Sequence, residues 1–317
     1  MILACYNKKE SIRMQSSSGG IYYTIAKNVL DNSGIVYAVL YDNLSVVHTR
    51  IDSVHLLEKS CGSKYAQSNM KDCFSLVKED LQNGRKVLFV GTPCQCAGLK
   101  AYLSKDYINL LAIDFICHGV PSKKVLNRYL NEQQYLQPID TINMRDKTSG
   151  WTNYQYSWKF SNANETKVLS QSNIAFMKGF TGDLFLRPSC YECCFKGLER
   201  KTDITLGDYW GVWNIQPGMD DNKGTSLAII HSENGKKAFE IVANEFVYEE
   251  ITDYNKVINY NPSICKRAEK TVKREKFFER FNSGDTVEGI VNDLLRSNEQ
   301  FGMKSRLIRK IKGFLSN

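Results

Sequence analysis

Residues 87–122 read VLFVGTPCQCAGLKAYLSKDYINLLAIDFICHGVPS, and the rest of the fold follows from them. Val87 to Val90 is a short apolar run that breaks at Gly91-Thr92-Pro93 and delivers Cys94. A second run, LLAIDFI, delivers Cys117. Apolar runs of this length bounded by Gly and Pro read as buried strands, and a helical pattern follows each. Loops after parallel strands gather at one edge of a sheet, where open α/β folds place their sites. The two cysteines are therefore expected close together.

A third contribution comes from residues 187–211, RPSCYECCFKGLERKTDITLGDYWG. Cys190 and Cys193 form a Cys-x-x-Cys pair with Cys194 directly behind. That spacing lets two thiolates face one metal centre from a single turn. Cys94, Cys117, Cys190 and Cys193 are thus a candidate four-thiolate site. Cys96 is a rival ligand, but a Cys-x-Cys spacing sends the two side chains apart unless the loop bends. Cys61 and Cys73 have no partner spacing and read as small core or surface residues. His118 is a candidate proton donor beside Cys117, with a hydrogen-bonded loop residue as the plainer reading.

The chain has 317 residues and 42% hydrophobic content, enough for a large core in one domain or two. A mixed α/β (α+β) fold is expected, a mixed sheet flanked by helices with a basic helical tail at the C-terminus. No apolar run reaches the length of a membrane span and no signal-peptide layout opens the chain, so a cytoplasmic protein is expected. Ten cysteines in such a chain favour reduced thiols for metal or redox chemistry over disulfides. The net charge of +8 is concentrated late, and no nucleic-acid partner is expected. The chain has no glycine-rich dinucleotide fingerprint and no zinc-protease motif. GTPCQCAG lacks the Lys-Ser/Thr of a phosphate loop, which excludes a P-loop triphosphatase.

Ser16, Ser17, Ser18, Gly19 and Gly20 precede a helical pattern carried by Ile21, Ile25, Val29 and Leu30. Such an end attracts phosphate, although a serine N-cap with a tight turn is the plainer reading. Runs Ile35 to Leu40 and Val46 to Ile51 flank a hairpin turn at Asp42-Asn43. Lys64 and Tyr65, after Gly62, are candidates to meet a phosphate and a ring. Further helices are expected around Phe74, Val77 and Leu81, closed by Asn83-Gly84, and from Val125 to Tyr135. MRDKTSGWTNYQYSWKFS, residues 144–161, reads as an alternating aromatic strand. Its aromatics suit a core face, and Arg145 and Lys147 suit a charged, flat ligand. TSLAIIHSENGKKAFEIV adds a strand and a helix. The basic tail ends in a stripe of Met303, Leu307, Ile308, Ile311 and Leu315, expected to cap the body or to touch an acidic membrane surface.

Seven segments, SSSGG, GSKYAQS, GTPCQCAGLKAYL, DFICHGVPS, RDKTSGW, RPSCYECCFKG and DITLGDYWG, occur in order between residues 16 and 211. Together they resemble the coenzyme F420 hydrogenase/dehydrogenase beta-subunit family. The resemblance implies a flavoprotein oxidoreductase with FAD beside a [4Fe-4S] cluster. It places the cluster on Cys94, Cys117, Cys190 and Cys193. It places the flavin near Ser16 to Gly20; Lys64, Tyr65, Thr92, Arg145 and Lys147 are further candidate cofactor contacts from their residue types. Lys64, His118 and Asp208 are the candidate catalytic groups. Three regions are expected: 1–86, 87–265 with the cysteine site, and the basic tail 266–317. The chain starts directly before the serine turn, without a ferredoxin-like module, so a separate ferredoxin or other electron carrier is the expected partner. A hydride-carrying coenzyme or small molecule is the other. Cys194, Cys96 and Cys61 depart from the family pattern, which leaves the second ligand of the 190–194 turn open. Relatives occur among surface-polysaccharide genes, so the family does not fix the substrate. Two other readings stand beside it: a structural zinc site, which four thiolates also satisfy, and an interaction protein of a polysaccharide pathway that has lost electron transfer.

Overall fold

A computed structural model describes residues 1–133 and 138–296. The two opening apolar runs are β4 (Val87–Gly91) and β5 (Leu110–Phe115), paired in parallel with Val90 opposite Ile113. On one side β4 pairs in parallel with β2 (Ile35–Asp42), which returns as antiparallel β3 (Ser45–Ile51). Asn43 and Leu44 between them both have positive φ, the geometry of a two-residue hairpin. The turn therefore sits one residue later than Asp42-Asn43.

On the other side β5 pairs in parallel with β9 (Ile204–Asp208). The sheet then turns antiparallel through β10 (Ser226–Ile230), β1 (Ile2–Asn7) and β11 (Phe246–Glu250). One eight-stranded mixed sheet results, and it runs across the 86/87 division, since β1, β2 and β3 all belong to it. Its two faces are both covered. Helices α2 (Ile21–Asp31), α3 (Val54–Ser60) and α9 (Glu233–Glu240) lie over Val36, Ala38, Leu88 and Ile113. Helices α4 (Cys73–Gln82) and α5 (Pro93–Leu103) lie over Tyr37, Val87 and Phe89. Burial on both faces explains why β4 and β5 are continuous apolar runs rather than alternating ones.

A second, antiparallel sheet of β6 (Thr141–Asp146), β7 (Ser157–Ser161) and β8 (Thr166–Ser170) stands beside the first. The stretch 144–161 is thus two strands rather than one. Between them the chain loops through Gly150, Asn153 and Tyr154, all with positive φ. Trp158 and Phe160 pack with helices α6 (Lys123–Glu132), α7 (Ala175–Thr181) and α11 (Val272–Asn282). Phe277 and Phe281 of α11 are buried there, so this part of the basic tail lies on the body of the protein. The stripe from Met303 to Leu315 falls outside the described residues, as does Tyr135. No helix among the described residues is long and apolar enough to cross a membrane.

His48, on β3, is 3% exposed. Its Nδ1 lies 2.9 Å from Ser68 Oγ and its Nε2 lies 3.1 Å from the Val90 carbonyl. Burial holds its pKa down to about 4, against about 6.5 in an unfolded chain. The unfolded state therefore gains a proton first as pH falls, and stability drops between those two values. From pH 7 to pH 5 the loss is about 2 kcal/mol. Urea unfolding of the wild type should show this increment, and His48→Gln should flatten it. An identical pH slope in both proteins would overturn the assignment.

Candidate functional site

The cysteine edge is built from the ends of β4 and β5. Thr92 caps α5 reciprocally: the Gln95 backbone N–H donates to Thr92 Oγ1 (3.4 Å) and the Thr92 N–H to Gln95 Oε1 (2.9 Å). With Pro93 in the first turn, this starts the helix immediately after the strand. Cys94 is exposed in that first turn, with its Sγ 3.1 Å from Thr92 Oγ1. Two residues on a helix turn through about 200°, so Cys96 points the other way. It is 1% exposed, with its Sγ 3.6 Å from the Ile113 carbonyl.

Cys117 follows β5, and the 187–197 segment folds over it. The Val120 backbone N–H donates to Cys190 Sγ at 3.3 Å, and the Lys196 amino group donates to the carbonyls of Cys117 and Ser263. Gly119 gives the room: a side chain there would meet Leu186 at 2.8 Å and the Cβ of Cys190 at 3.5 Å. Burial pushes the Cys117 thiol up to about 12; Lys196 opposes this, and Cys190, Cys94 and Cys193 add to it. Burial also raises Cys190, with Val120 opposing and Cys94 and Cys193 adding. Cys117 and Cys190 therefore each lie within electrostatic reach of the other thiols. Among the described residues no three His, Cys, Asp or Glu side chains converge on a single metal ion. Cys194 is exposed, Cys61 is half-buried against the Leu57 carbonyl, and Cys73 opens α4 on its buried face.

Below the cysteines the chain is anchored by a buried ion pair. Arg200 Nη1 lies 3.2 Å from Asp114 Oδ2, their side chains being 5% and 1% exposed, and Thr205 donates to Asp114 Oδ1 at 2.5 Å. His118 is held at both ring nitrogens, Nδ1 3.3 Å from Ser263 Oγ and Nε2 3.2 Å from the Phe180 carbonyl, with Asp183 Oδ1 2.8 Å from Nε2.

A second cluster forms where the serine turn, the loop after α3 and the end of β6 meet. No serine caps α2; Gly20, in a left-handed conformation, holds that position without a side-chain cap. Ser16 Oγ donates to the Ile12 carbonyl, Ser17 Oγ pairs with Ser63 Oγ and Ser18 Oγ with Ser226 Oγ. Gly19 sits so close to β1 that a side chain there would be 2.3 Å from the Cys5 carbonyl. Lys147 donates to the carbonyls of Arg13, Ser18 and Lys223, and Lys64 to those of Ser60, Cys61 and Gly62. Burial lowers these amines to about 7 and about 8. Both lysines spend their donors on the backbone, and at neutral pH Lys147 keeps only part of its charge.

Arg145 is the centre of this cluster. Its Nη2 donates to Tyr65 Oη (2.6 Å) and to Asp208 Oδ2 (2.8 Å), and its guanidinium lies 3.9 Å from the centre of the Tyr156 ring and 5.3 Å from that of Trp210. The residue is 5% exposed, yet its Nε and Nη1 have no hydrogen-bond partner. Unmet donors on a buried cation are costly and fit an anionic or carbonyl group of a ligand. Phe180 joins the two clusters, its ring 5.0 Å from His118 and 5.4 Å from Tyr65. Thr92, by contrast, belongs to the cysteine edge. Phe180 and functional roles for Tyr156, Trp210 and Lys196 are not legible in the sequence, where alternation hides the aromatics among core residues.

The architecture is that of a mixed α/β protein with a cysteine-lined sheet edge beside a buried arginine. Residues 84–255 match the family model for the C terminus of the coenzyme F420 hydrogenase/dehydrogenase beta subunit. The chain belongs to that family, whose members are oxidoreductases. A chain of the F420-reducing [NiFe] hydrogenase complex from Methanosarcina barkeri has the same fold, with TM-score 0.54 and 15% identity over 90% of this chain and 93% of that one. No curated protein matches the chain.

Proposed function

We propose that the chain is a flavin- and iron–sulfur-dependent oxidoreductase that passes electrons between a [4Fe-4S] cluster at Cys94, Cys117, Cys190 and Cys193 and FAD beside Arg145. The observation that carries this reading is that the 187–197 segment, with Cys190 and Cys193, folds over Cys117 at the edge where β4 and β5 end. A cubane cluster binds one thiolate per iron, so it does not need three ligands closing on one ion, as zinc does. The Val120 N–H on Cys190 Sγ is the kind of donor that stabilises a ligating thiolate. When bound, the flavin supplies hydride chemistry and the cluster single-electron transfer.

The chain's own residues would hold and polarise these groups. Arg145 has donors to spare for an anionic or carbonyl group, whereas Lys64 and Lys147 spend theirs on backbone carbonyls. Of the candidate proton-handling groups, Asp208 is best placed, through its bond to Arg145, whereas Lys64 and His118 are tied into the backbone or to Asp183. A ferredoxin or other electron carrier would serve the cluster, and a hydride-carrying coenzyme or small molecule the flavin.

Anaerobic purification followed by visible absorption, with iron, sulfide and zinc assays, tests the proposal. A brown protein with flavin peaks and about four irons per chain is expected; a colourless protein with stoichiometric zinc overturns it. The double variant Arg145→Met, Asp208→Asn removes cation and carboxylate together. Loss of charge-assisted bonds worth about 1.5–3 kcal/mol should weaken flavin retention about tenfold or more. Unchanged flavin per folded chain would exclude FAD from this cluster.

A further inference from the structure

Lys196 stands out among the cations of the cysteine edge. Arg200 is matched by Asp114, and Arg145 by Asp208. Lys196 is half-buried and has no carboxylate partner among the ion pairs of the described residues; its two hydrogen-bond acceptors, the carbonyls of Cys117 and Ser263, are neutral. An ammonium has three donors, so one hydrogen is left over. The bond to the peptide of Cys117 fixes this charge beside the thiols. A partly buried cation without a counter-ion is unfavourable unless a negative group completes the site.

We propose that Lys196 is the counter-charge of the four-thiolate site, holding the cluster's reduction potential up and donating its third hydrogen to a ligand or cluster sulfur. This rests on the cluster reading above. Reduction adds a negative charge to a cluster held by four thiolates, and a fixed cation stabilises the reduced state more than the oxidised one. The residue acts through the cluster's surroundings and is a positioning residue, with no bond made or broken.

The test uses the full chain purified anaerobically as wild type, Lys196→Met and Lys196→Arg. Iron and sulfide are assayed, and the cluster is titrated potentiometrically with its paramagnetic resonance signal as readout. Lys196→Met should keep its iron and show a lower midpoint potential, while Lys196→Arg, which keeps the charge, should stay near the wild-type value. Should Lys196→Met fail to hold the cluster, recovery of iron in Lys196→Arg would still support the charge role. A wild-type midpoint in Lys196→Met, or equal loss of iron in both variants, would overturn it in favour of a steric role. Wild-type protein lacking iron and sulfide would overturn the cluster reading itself, a result visible before any variant is made.

Discussion

Cys190→Ser is expected to lose the iron and acid-labile sulfide altogether, from about four irons per chain to near zero, with the fold intact. The argument is local. Cys190 lies where the 187–197 segment crosses Gly119, and its sulfur already accepts the Val120 N–H. A serine oxygen is harder and far less acidic than a thiol, and it makes a poor iron ligand in a sulfur-bridged centre. The turn itself is held by other bonds: Arg187 N–H to the Val120 carbonyl at 2.8 Å, and Tyr191 Oη to the Asp183 carbonyl at 2.7 Å. Circular dichroism should therefore be unchanged. Cys117→Ser should behave alike. Cys96→Ser and Cys194→Ser are the controls, since one sulfur faces the core and the other lies exposed beyond the pair; both should keep their iron. Full iron in Cys190→Ser, or its loss in Cys194→Ser, would mean that the ligand set is wrong.

The second large effect concerns the anchor below the site. Arg200→Met leaves Asp114 as a buried carboxylate, 1% exposed, with only Thr205 and other neutral donors against it. Burial already raises the Asp114 pKa against the opposing pull of Arg200 and Thr205. Breaking a buried pair from one side costs about 3–5 kcal/mol, which for a chain of this size lowers Tm by about 4–8 °C. Thermal unfolding of the apoprotein measures it. Adding Asp114→Asn to Arg200→Met should recover part of the loss, because the unpaired charge is then gone. A Tm within a degree of wild type for Arg200→Met would show that the pair contributes nothing to stability.

The parallel half of the sheet is legible in the sequence because its strands are buried on both faces, so β4 and β5 stand out as apolar runs ending at Gly or just before Cys. β1 and β11 are not. ILACYN is short and is followed at once by charged residues, and FVYEE ends in two glutamates, so their strand character comes from pairing with each other and with β10. The four cysteines are visible through spacing and strand ends. The arginine cluster is visible only in part, since the hydrogen-bond state of Arg145 and the use of Lys64 and Lys147 on carbonyls depend on which segments meet in space. The aromatic stretch 144–161 misleads because alternation continues through a loop whose positive-φ residues, apart from Gly150, carry no glycine signal.

The position of β1 bears on the order of assembly. This early strand is enclosed between two late ones, β10 and β11, and the serine turn that follows it is stitched to Ser226 of β10. On a ribosome β1 must therefore wait, unpaired, until β10 and then β11, which ends at Glu250, have emerged. Loop closure over such a span is slow relative to local pairing, whereas the β4–α5–β5 unit can form as soon as it is made. The β4–α5–β5 part of the cysteine edge, with Cys94 and Cys117, would thus form during translation, whereas the serine turn can lock onto Ser226 only once β10 has emerged.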